Sequence, residues 1–296
     1  MNIAIISYSK DKASINIKEN LVNNFDFNGL DEKFDNNNIF QTTIDNNIIK
    51  LHTINSEHIY TDDLDRKIDA DLFIFISKHS AVEGRPSLTC HPIGNFGKAE
   101  KGGREKTLCT APSFFLKNIL NELNKNSDDA DYDVTMEATH HGPYLEKPVL
   151  FVEIGSTEKE WENKDAGKII AKSGIKAIKK STMENNSINK NNDEKNVSIN
   201  NKNKDYESTF VIGGSHYNHV ATKAMLKTNF GVGHICPKYN LGNLNEELIK
   251  KAMKKTIPEA RFVLLDWKGL GKEKQRIVDI LERSDIEYRR SDKFFD

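Results

Sequence analysis

Short apolar runs alternate with amphipathic stretches along most of the chain. Residues 2–7, 71–76 and 148–154 are rich in Ile, Val and Phe, a composition typical of buried strands. Apolar residues recur at helical spacing after Pro112-Ser113 and predict a helix that ends near residue 123. This alternation predicts an α/β protein with three layers and a mixed, mostly parallel sheet.

The alternation continues near the carboxyl terminus. Strands are predicted at 208–212, 231–236, 261–266 and 286–290, with helices at 216–226, 244–255 and 271–281. Residues 181–207 interrupt this pattern, because nine of the nineteen residues from 185 to 203 are Asn. Such a segment cannot bury enough apolar area to offset its ordering entropy. We therefore predict one α/β domain over residues 1–296, with a low-complexity surface insertion at about 181–207.

The segment between residues 81 and 111 differs from its surroundings. It contains too many Gly and Pro residues to form a regular helix or strand. Loops of this length without secondary structure are usually functional. The sequence therefore predicts a long functional loop here.

Composition narrows the class of protein. Lys plus Arg (43) nearly balance Asp plus Glu (44), so any contact with a polyanion must come from a local patch. No stretch approaches the roughly 18 apolar residues that span a bilayer, and the amino terminus does not resemble a leader, so we expect a cytoplasmic protein with no membrane contact. The three cysteines include no CxxC pair and are expected to be reduced thiols.

Polar, chemically reactive residues follow several of the predicted strands. Glu137, His140 and His141 end an apolar run just before the Gly-Pro pair at 142–143, and His79 and Glu153 lie at the ends of two other strands. In an open α/β sheet such strand ends share one crevice. Three protein ligands with an open water position define a hydrolytic zinc site. The alternative for His140 and His141 is backbone hydrogen bonding alone.

Two further histidines and a glycine pair extend this candidate site. His91 lies in the loop after residue 81, and His216 follows Gly213-Gly214 at another strand end. The backbone amides near Gly213 and Gly214, or near Gly142, are candidates for stabilising an oxyanion. His52 and His58 have no such context and are interpreted as surface or packing residues.

A cluster of cations on glycine-rich backbone is the candidate phosphate-binding segment. It consists of Lys98, Lys101, Arg104 and Lys106. Flexible backbone permits close approach, and clustered cations neutralise phosphates. The alternative is an ordinary solvated loop.

Five motifs occur in an order that resembles a known family, the archaeal and plant type of D-aminoacyl-tRNA deacylase. The motifs are residues 77–80 (Ser-Lys-His-Ser), 88–95 (Leu-Thr-Cys-His-Pro-Ile-Gly-Asn), 137–143 (Glu-Ala-Thr-His-His-Gly-Pro), 152–161 (Val-Glu-Ile-Gly-Ser-Thr-Glu-Lys-Glu-Trp) and 213–217 (Gly-Gly-Ser-His-Tyr). The resemblance covers nearly the whole chain. The chain departs from the family pattern in its Asn-rich insertion and at Asn218-His219.

The resemblance implies hydrolysis of the ester between a D-amino acid and the 3′-terminal ribose of tRNA. It also implies two zinc ions per monomer and a phosphorylase/hydrolase-like fold akin to that of peptidyl-tRNA hydrolase. Its motifs contain every histidine of the candidate site. We assign metal binding to His79, His91, His140 and His216, catalysis to Glu137, His141 and Glu153, and substrate or tRNA binding to Lys98, Lys101, Arg104, Lys106, Gly213 and Gly214.

Aminoacylated tRNA is the expected partner of this protein, which we expect to be a monomer. Two other functions remain open: a zinc-dependent peptidase or amidase of related fold, and a non-enzymatic RNA-binding module. Within the deacylase hypothesis, attack assisted by the ribose 2′-hydroxyl competes with attack by a metal-activated water. The sequence does not identify the residues that select D over L substrates.

Overall fold

The computed structural model of the protein describes residues 1–81, 84–128, 130–189 and 207–295. The strands are β1 (Asn2–Tyr8), β2 (Asn28–Phe34), β3 (Asn37–Ile44), β4 (Asn47–Ile54), β5 (Leu72–Lys78), β6 (Ser87–His91), β7 (Ala111–Pro112), β8 (Asp133–Met136), β9 (Val149–Gly155), β10 (Ser208–Ile212), β11 (Gly231–Cys236), β12 (Thr256–Ile257), β13 (Ala260–Leu265) and β14 (Tyr288–Arg290). The α-helices are α1 (Lys12–Asn24), α2 (Ser113–Asn126), α3 (Glu158–Trp161), α4 (Lys164–Asn189), α5 (His219–Lys227), α6 (Glu246–Lys254), α7 (Lys274–Arg283) and α8 (Ser291–Phe294). Short 3-10 helices cover His58–Tyr60, Leu64–Arg66, Lys238–Asn243 and Gly271–Glu273.

In the described part of the chain, eight strands form a mixed sheet in the order β2-β3-β4-β1-β5-β9-β6-β8. Its centre is parallel, because β1 pairs in parallel with β4 and β5, and β5 pairs in parallel with β9. Strand β6 runs antiparallel to β9, and β8 runs parallel to β6. The carboxyl ends of β1, β5 and β9 therefore lie at the same edge as the amino ends of β6 and β8.

A second sheet has the order β11-β10-β13-β14 and is parallel throughout. Helix α2 packs between the two sheets, since Leu116 and Ile119 share one apolar cluster with Val211 and Phe262 of the second sheet. The same cluster includes residues of α1 and α4, which cover one face of the first sheet. The opposite face of the first sheet carries Phe75 and the aromatic floor of the site described below.

The structure confirms the α/β class with mostly parallel strands, and it divides these strands between two sheets. Strand β6 lies inside the segment that we predicted to be a loop at 81–111. It is a buried strand between β9 and β8, because all five of its residues pair with β9 and four of them with β8, while Gly and Pro are confined to the flanking turns. The prediction of a structureless loop was wrong for these residues.

Two predicted boundaries also move. Helix α5 begins at His219 and not at His216, because the side chain of Asn218 accepts a hydrogen bond from the amide of Ala221 and caps the helix. Helix α4 continues to Asn189, into the predicted insertion, since extending a packed helix is much easier than starting one. Residues 190–206 of that insertion lie outside the described residues. Among the helices that the structure describes, none is long and apolar enough to cross a membrane.

Candidate active site

A cavity of about 920 Å³ opens at the carboxyl edge of β1, β5 and β9. Strand β9 forms its floor, because Phe151 and Glu153 lie two residues apart and share one face of the sheet. His79 follows the end of β5, and the backbone carbonyl of His79 accepts a hydrogen bond from the indole of Trp161 at 2.9 Å. His91 at the end of β6 lies beside Phe151 in the antiparallel register. Strands β5, β9 and β6 therefore bring His79, Glu153 and His91 together at the cavity.

The other wall of the cavity comes from two chain segments that are joined by backbone hydrogen bonds. The amide of Ala138 donates to the carbonyl of His216 at 2.8 Å, and the amide of Asn218 donates to the carbonyl of Met136 at 2.9 Å. These bonds hold residues 136–138 of the 134–144 segment against the loop before α5. Gly142 allows a further close contact, since a Cβ there would lie 2.2 Å from the amide nitrogen of Gly103.

Three imidazoles form the first half of the cluster. The Nδ1–H of His91 donates to the carbonyl of Pro92 at 3.1 Å, that of His140 donates to Ala138 at 2.8 Å, and that of His141 donates to Gly142 at 2.5 Å. Each bond selects the tautomer in which Nε2 carries a lone pair. The candidate ligand atoms of the three histidines lie within 4.8 Å of one another. This is the arrangement in which histidine usually binds a metal ion.

Glu137 organises the second half of the cluster. One of its oxygens, Oε2, lies 3.1 Å from Nδ1 of His79, 2.9 Å from Nε2 of His216 and 3.7 Å from Nε2 of His140. The ligand atoms of His79, Glu137 and His216 also lie within 4.8 Å of one another. Nδ1 of His216 hydrogen-bonds the hydroxyl of Tyr239 at 3.2 Å. The second group is therefore a mixed nitrogen and oxygen ligand set.

Glu153 lies between the two groups. Its Oε2 is 3.5 Å from Nδ1 of His79 and 3.5 Å from Nε2 of His91. Unlike Glu137, which is fully buried, Glu153 lines the cavity. It is thus the carboxylate of the cluster that a substrate or water molecule in the cavity can reach.

The protonation states favour ligands in most of these positions. Burial lowers the pKa of His141 to about 4, and it lowers that of His140 well below the usual value, an effect that the neighbouring histidines reinforce. Burial alone would raise the pKa of Glu153, but its contacts with His79 and His91 outweigh burial and lower that pKa to about 2. Burial likewise opposes ionisation of Glu137, whose pKa falls because His216 and His79 donate hydrogen bonds to it. His140 and His141 are therefore neutral imidazoles beside two ionised, buried carboxylates, whereas the contact of His91 with Glu153 outweighs burial and raises the pKa of His91.

Two buried atoms of the cluster make no hydrogen bond among the described residues. They are Nε2 of His91 and Oε1 of Glu137. A buried polar atom without a partner normally costs about 1–3 kcal/mol, and two buried carboxylates need positive charge nearby. In the structure His79 supplies such charge, because its contacts with Glu137 and Glu153 outweigh burial and raise its pKa to about 11. A bound cation would satisfy both requirements, and the residues present fit one.

The structure brings together every histidine and glutamate that the sequence predicted for the site. They are His79, His91, Glu137, His140, His141, Glu153 and His216. The geometry groups His141 with His91 and His140, where the sequence analysis placed it among the catalytic residues. Four histidines lie outside this cluster. His52 is buried on the β4 strand and His234 hydrogen-bonds within the core. His58, which packs edge-on against aromatic rings, and His219 at the start of α5 line the cavity.

The four predicted cations have different surroundings. Lys101 lines the cavity, whereas Arg104 pairs with Asp63 at 2.8 Å and stacks over the ring of Tyr144. Lys98 and Lys106 are exposed on the same loop, outside the cavity lining. Of the four, Lys101 alone is therefore placed to touch a substrate inside the cavity.

The predicted oxyanion donors are engaged in the fold. The amide of Gly213 donates to the carbonyl of Cys236 at 2.8 Å, and the amide of Gly142 donates to Lys101 at 3.0 Å. Gly214 has a positive φ and packs against the side chains of Asn218 and Asp266. The glycine pair thus shapes the turn before His216. The amides of Gly213 and Gly142 already donate to backbone carbonyls and are not available to stabilise an oxyanion.

Sequence reasoning missed Tyr239 and Trp161 as supports of the site. Tyr239 contacts His216 from the 3-10 helix after β11, and Trp161 holds the end of β5 from α3. The signal for Trp161 was its capping box, in which Thr157 and Glu160 bond each other at the start of α3. Tyr239 had no local signal, because its partner His216 lies 23 residues earlier in the chain.

Comparisons with known proteins agree with these motifs. The model of the D-aminoacyl-tRNA deacylase family matches residues 66–289. The D-aminoacyl-tRNA deacylase of Thermococcus kodakarensis is 34% identical over 294 residues, which cover 97% of this chain and 98% of that protein. The D-aminoacyl-tRNA deacylase of Methanosarcina mazei is 35% identical over 295 residues, covering 95% of this chain and 89% of that protein. A crystal structure of a conserved protein of unknown function has a TM-score of 0.79 and 30% identity, and the match covers 99% of this chain and 96% of the other.

Proposed function

Because the chain belongs to the D-aminoacyl-tRNA deacylase family, we propose that it hydrolyses the ester bond of D-aminoacyl-tRNA and that the histidine and glutamate cluster carries this reaction. The products are free tRNA and a free D-amino acid. The observation that supports this use of the cluster most directly is the convergence of His91, His140 and His141, each with Nδ1 bound to a carbonyl. Translation takes place in the cytoplasm, where we propose that the protein acts.

We propose zinc as the metal and two ions per chain. His91, His140 and His141 would hold one ion, and His79, Glu137 and His216 would hold the other. Nitrogen ligands with one or two carboxylates are the usual ligands of hydrolytic zinc. Bound there, zinc would polarise the ester carbonyl and lower the pKa of water to about 7.

Glu153 is the proposed general base. It lines the cavity between the two groups, so its carboxylate can accept a proton from a water molecule that attacks the ester carbonyl carbon. The bond between the carbonyl carbon and the ribose oxygen then breaks, and the ribose oxygen takes a proton. Glu137 is fully buried and outside the cavity lining, so its proposed part is that of a metal ligand that also holds His79 and His216 in position.

The cavity must also choose between enantiomers. An L-aminoacyl-tRNA is the correct product of aminoacylation, so a deacylase has to leave its side chain no room. The cavity wall near the cluster includes Tyr8, His58 and Phe151, which pack together as a rigid aromatic group. We propose that this wall limits the directions a side chain can take from the α-carbon.

Deacylation of D-tyrosyl-tRNA with and without a chelator tests this proposal. We expect chelation to abolish activity and added zinc to restore it. His141→Ala and Glu137→Ala should each lose at least about 100-fold in rate and bind less zinc, since each removes one proposed ligand. A rate that is the same in the native protein, with chelator and in both variants would exclude the metal and the cluster together. Cleavage of short peptides without deacylation would favour the peptidase alternative instead.

A further inference from the structure

Two tyrosines stand out on the surface near the cavity. Among the described residues, the exposed large apolar side chains are Met1, Ile48, Tyr60 and Tyr239, and the two tyrosines are 60% and 58% exposed. Met1 and Ile48 lie at the far edge of the first sheet, where β1 and β4 begin. The two tyrosines are each next to a residue that lines the cavity: Tyr60 follows Ile59, and Tyr239 hydrogen-bonds His216. Exposed aromatic side chains beside an active site are typical of a binding surface.

Tyr60 lies on one side of the cavity mouth. It ends the 3-10 helix His58–Tyr60, whose residues His58 and Ile59 line the cavity. The ring packs beside Gly102, where a Cβ would lie 3.3 Å from Cδ1 of Tyr60 and would overlap the carbonyl of Ile59. Lys101, the residue before Gly102, lines the cavity as well. Tyr60 and Lys101 are therefore close neighbours at the mouth.

Tyr239 lies at the other end of the same loop. Its hydroxyl bonds Nδ1 of His216, so the ring begins at the catalytic cluster and extends to solvent. The next residues of its 3-10 helix contact the loop, because a Cβ at Gly97 would lie 2.6 Å from Nδ2 of Asn243 and 3.8 Å from Oδ1 of Asn240. Residues 97–106 thus run from the neighbourhood of Tyr239 to Tyr60.

We define the mouth surface as Tyr60, residues 97–106 and residues 238–243. The loop carries four cations, Lys98, Lys101, Arg104 and Lys106, against two carboxylates, Glu100 and Glu105, and Lys238 adds an exposed cation beside Tyr239. Of the carboxylates near Tyr60 in the chain, Asp62 accepts a hydrogen bond from the amide of Tyr144 and Asp63 pairs with Arg104, whereas Glu57 lines the cavity. The mouth surface combines a net positive charge with two exposed aromatic rings.

Resting on the function proposed above, we propose that the mouth surface binds the unpaired nucleotides at the 3′ end of tRNA, with the bases that precede the terminal adenosine stacked on Tyr60 and Tyr239 and phosphates beside Lys101. Proteins bind single-stranded nucleic acid through this combination of stacking rings and cations. The 3′ terminus of an aminoacyl-tRNA is single-stranded and must enter the cavity for the ester to reach the cluster. The stacking rings lie where that strand has to pass.

Steady-state kinetics on two substrates tests this inference. One substrate is full-length D-tyrosyl-tRNA, and the other is D-tyrosyl-adenosine, which has the same ester but lacks the preceding nucleotides. We expect Tyr60→Ala to raise KM for the tRNA roughly 5- to 100-fold and to leave kcat/KM for D-tyrosyl-adenosine within about twofold, since the bases proposed to stack on the tyrosine precede the terminal adenosine and are absent from the small substrate. Tyr60→Trp should retain tRNA binding. Ile48→Ala is the matched control and should change neither substrate.

Tyr239 needs a second variant because its hydroxyl also touches His216. Tyr239→Phe keeps the ring and removes that hydrogen bond, whereas Tyr239→Ala removes both. We expect Tyr239→Ala to raise KM for the tRNA about tenfold more than Tyr239→Phe does, while the two variants differ little on D-tyrosyl-adenosine. Equal losses on both substrates, or no change in KM for the tRNA in either alanine variant, would overturn the stacking proposal and leave the deacylase function intact. A native protein that cleaves neither substrate would overturn both.

Discussion

Two buried histidines of this protein, His141 and His234, have nearly the same pKa and opposite surroundings. Burial lowers the pKa of His141 to about 4 and that of His234 to about 4 as well. His234 uses both ring nitrogens inside the protein, at 3.2 Å from Oγ1 of Thr139 and 3.0 Å from the carbonyl of Cys109. His141 bonds a carbonyl with Nδ1 alone, and its other nitrogen joins a group of candidate ligand atoms. A shifted pKa therefore does not identify a functional histidine here, whereas a convergent second nitrogen does.

The largest expected effect is the loss of kcat on replacing Glu153, a carboxylate that contacts the histidine cluster and has no counterpart beside His234. Glu153→Gln keeps the shape of the side chain and removes the proposed base. We expect kcat on D-tyrosyl-tRNA to fall by about 100- to 10,000-fold, while zinc content and the unfolding midpoint stay close to native values. Rapid-quench deacylation and metal analysis of the same sample measure this.

A Glu153→Gln variant that keeps more than about a tenth of the native kcat would contradict the assignment of Glu153 as base. It would favour proton transfer by the 2′-hydroxyl of the terminal ribose. A substrate whose terminal ribose lacks that hydroxyl then distinguishes the two mechanisms, because Glu153-dependent hydrolysis should tolerate its loss.

A smaller effect of a different kind is expected at His234. His234→Gln should lower the free energy of unfolding by about 2 kcal/mol, because the buried Thr139 and Cys109 partners lose well-placed hydrogen bonds. The rate per folded molecule should stay native, since His234 lies outside the cavity lining. Urea unfolding and deacylation measured on one preparation check both parts. A large loss of rate without loss of stability would abolish the contrast between the two histidines.

The smallest effect is on the pH dependence of stability. The pKa of His234 is about 4 in the folded protein and near 6.5 when unfolded, so the unfolded state binds the proton more tightly below pH 6.5. Stability attributable to this residue is complete above pH 6.5 and falls as the pH drops toward 4. Between pH 7 and pH 5.5 the native protein should lose about 1 kcal/mol more than His234→Gln does. Parallel urea titrations at the two pH values measure the difference, and equal losses would show that folding does not lower the pKa of His234.

Much of the site could be predicted from the sequence because its residues follow strands. His79 and Glu153 lie at the carboxyl ends of β5 and β9, which parallel pairing brings to one edge. The sequence identified His91 as a site residue but missed its strand, β6. A run of five residues between turns that contain Gly and Pro is too short for its alternation to be recognised.

The features that the sequence did not show depend on contacts between distant segments. Lys101 lines the cavity, whereas Arg104 is held by an ion pair with Asp63, which lies about forty residues earlier in the chain. The division of the strands into two sheets arises from the way α2 packs on both of them. Neither feature leaves a local pattern that a periodicity could reveal.

The central claim is that the converging histidines serve hydrolysis of D-aminoacyl-tRNA. Its most direct test compares initial rates of deacylation of D-tyrosyl-tRNA and L-tyrosyl-tRNA by the zinc-loaded native protein. We expect the D substrate to be hydrolysed at least about 100-fold faster, because the aromatic wall of the cavity admits one enantiomer. Equal rates on the two substrates would contradict the account.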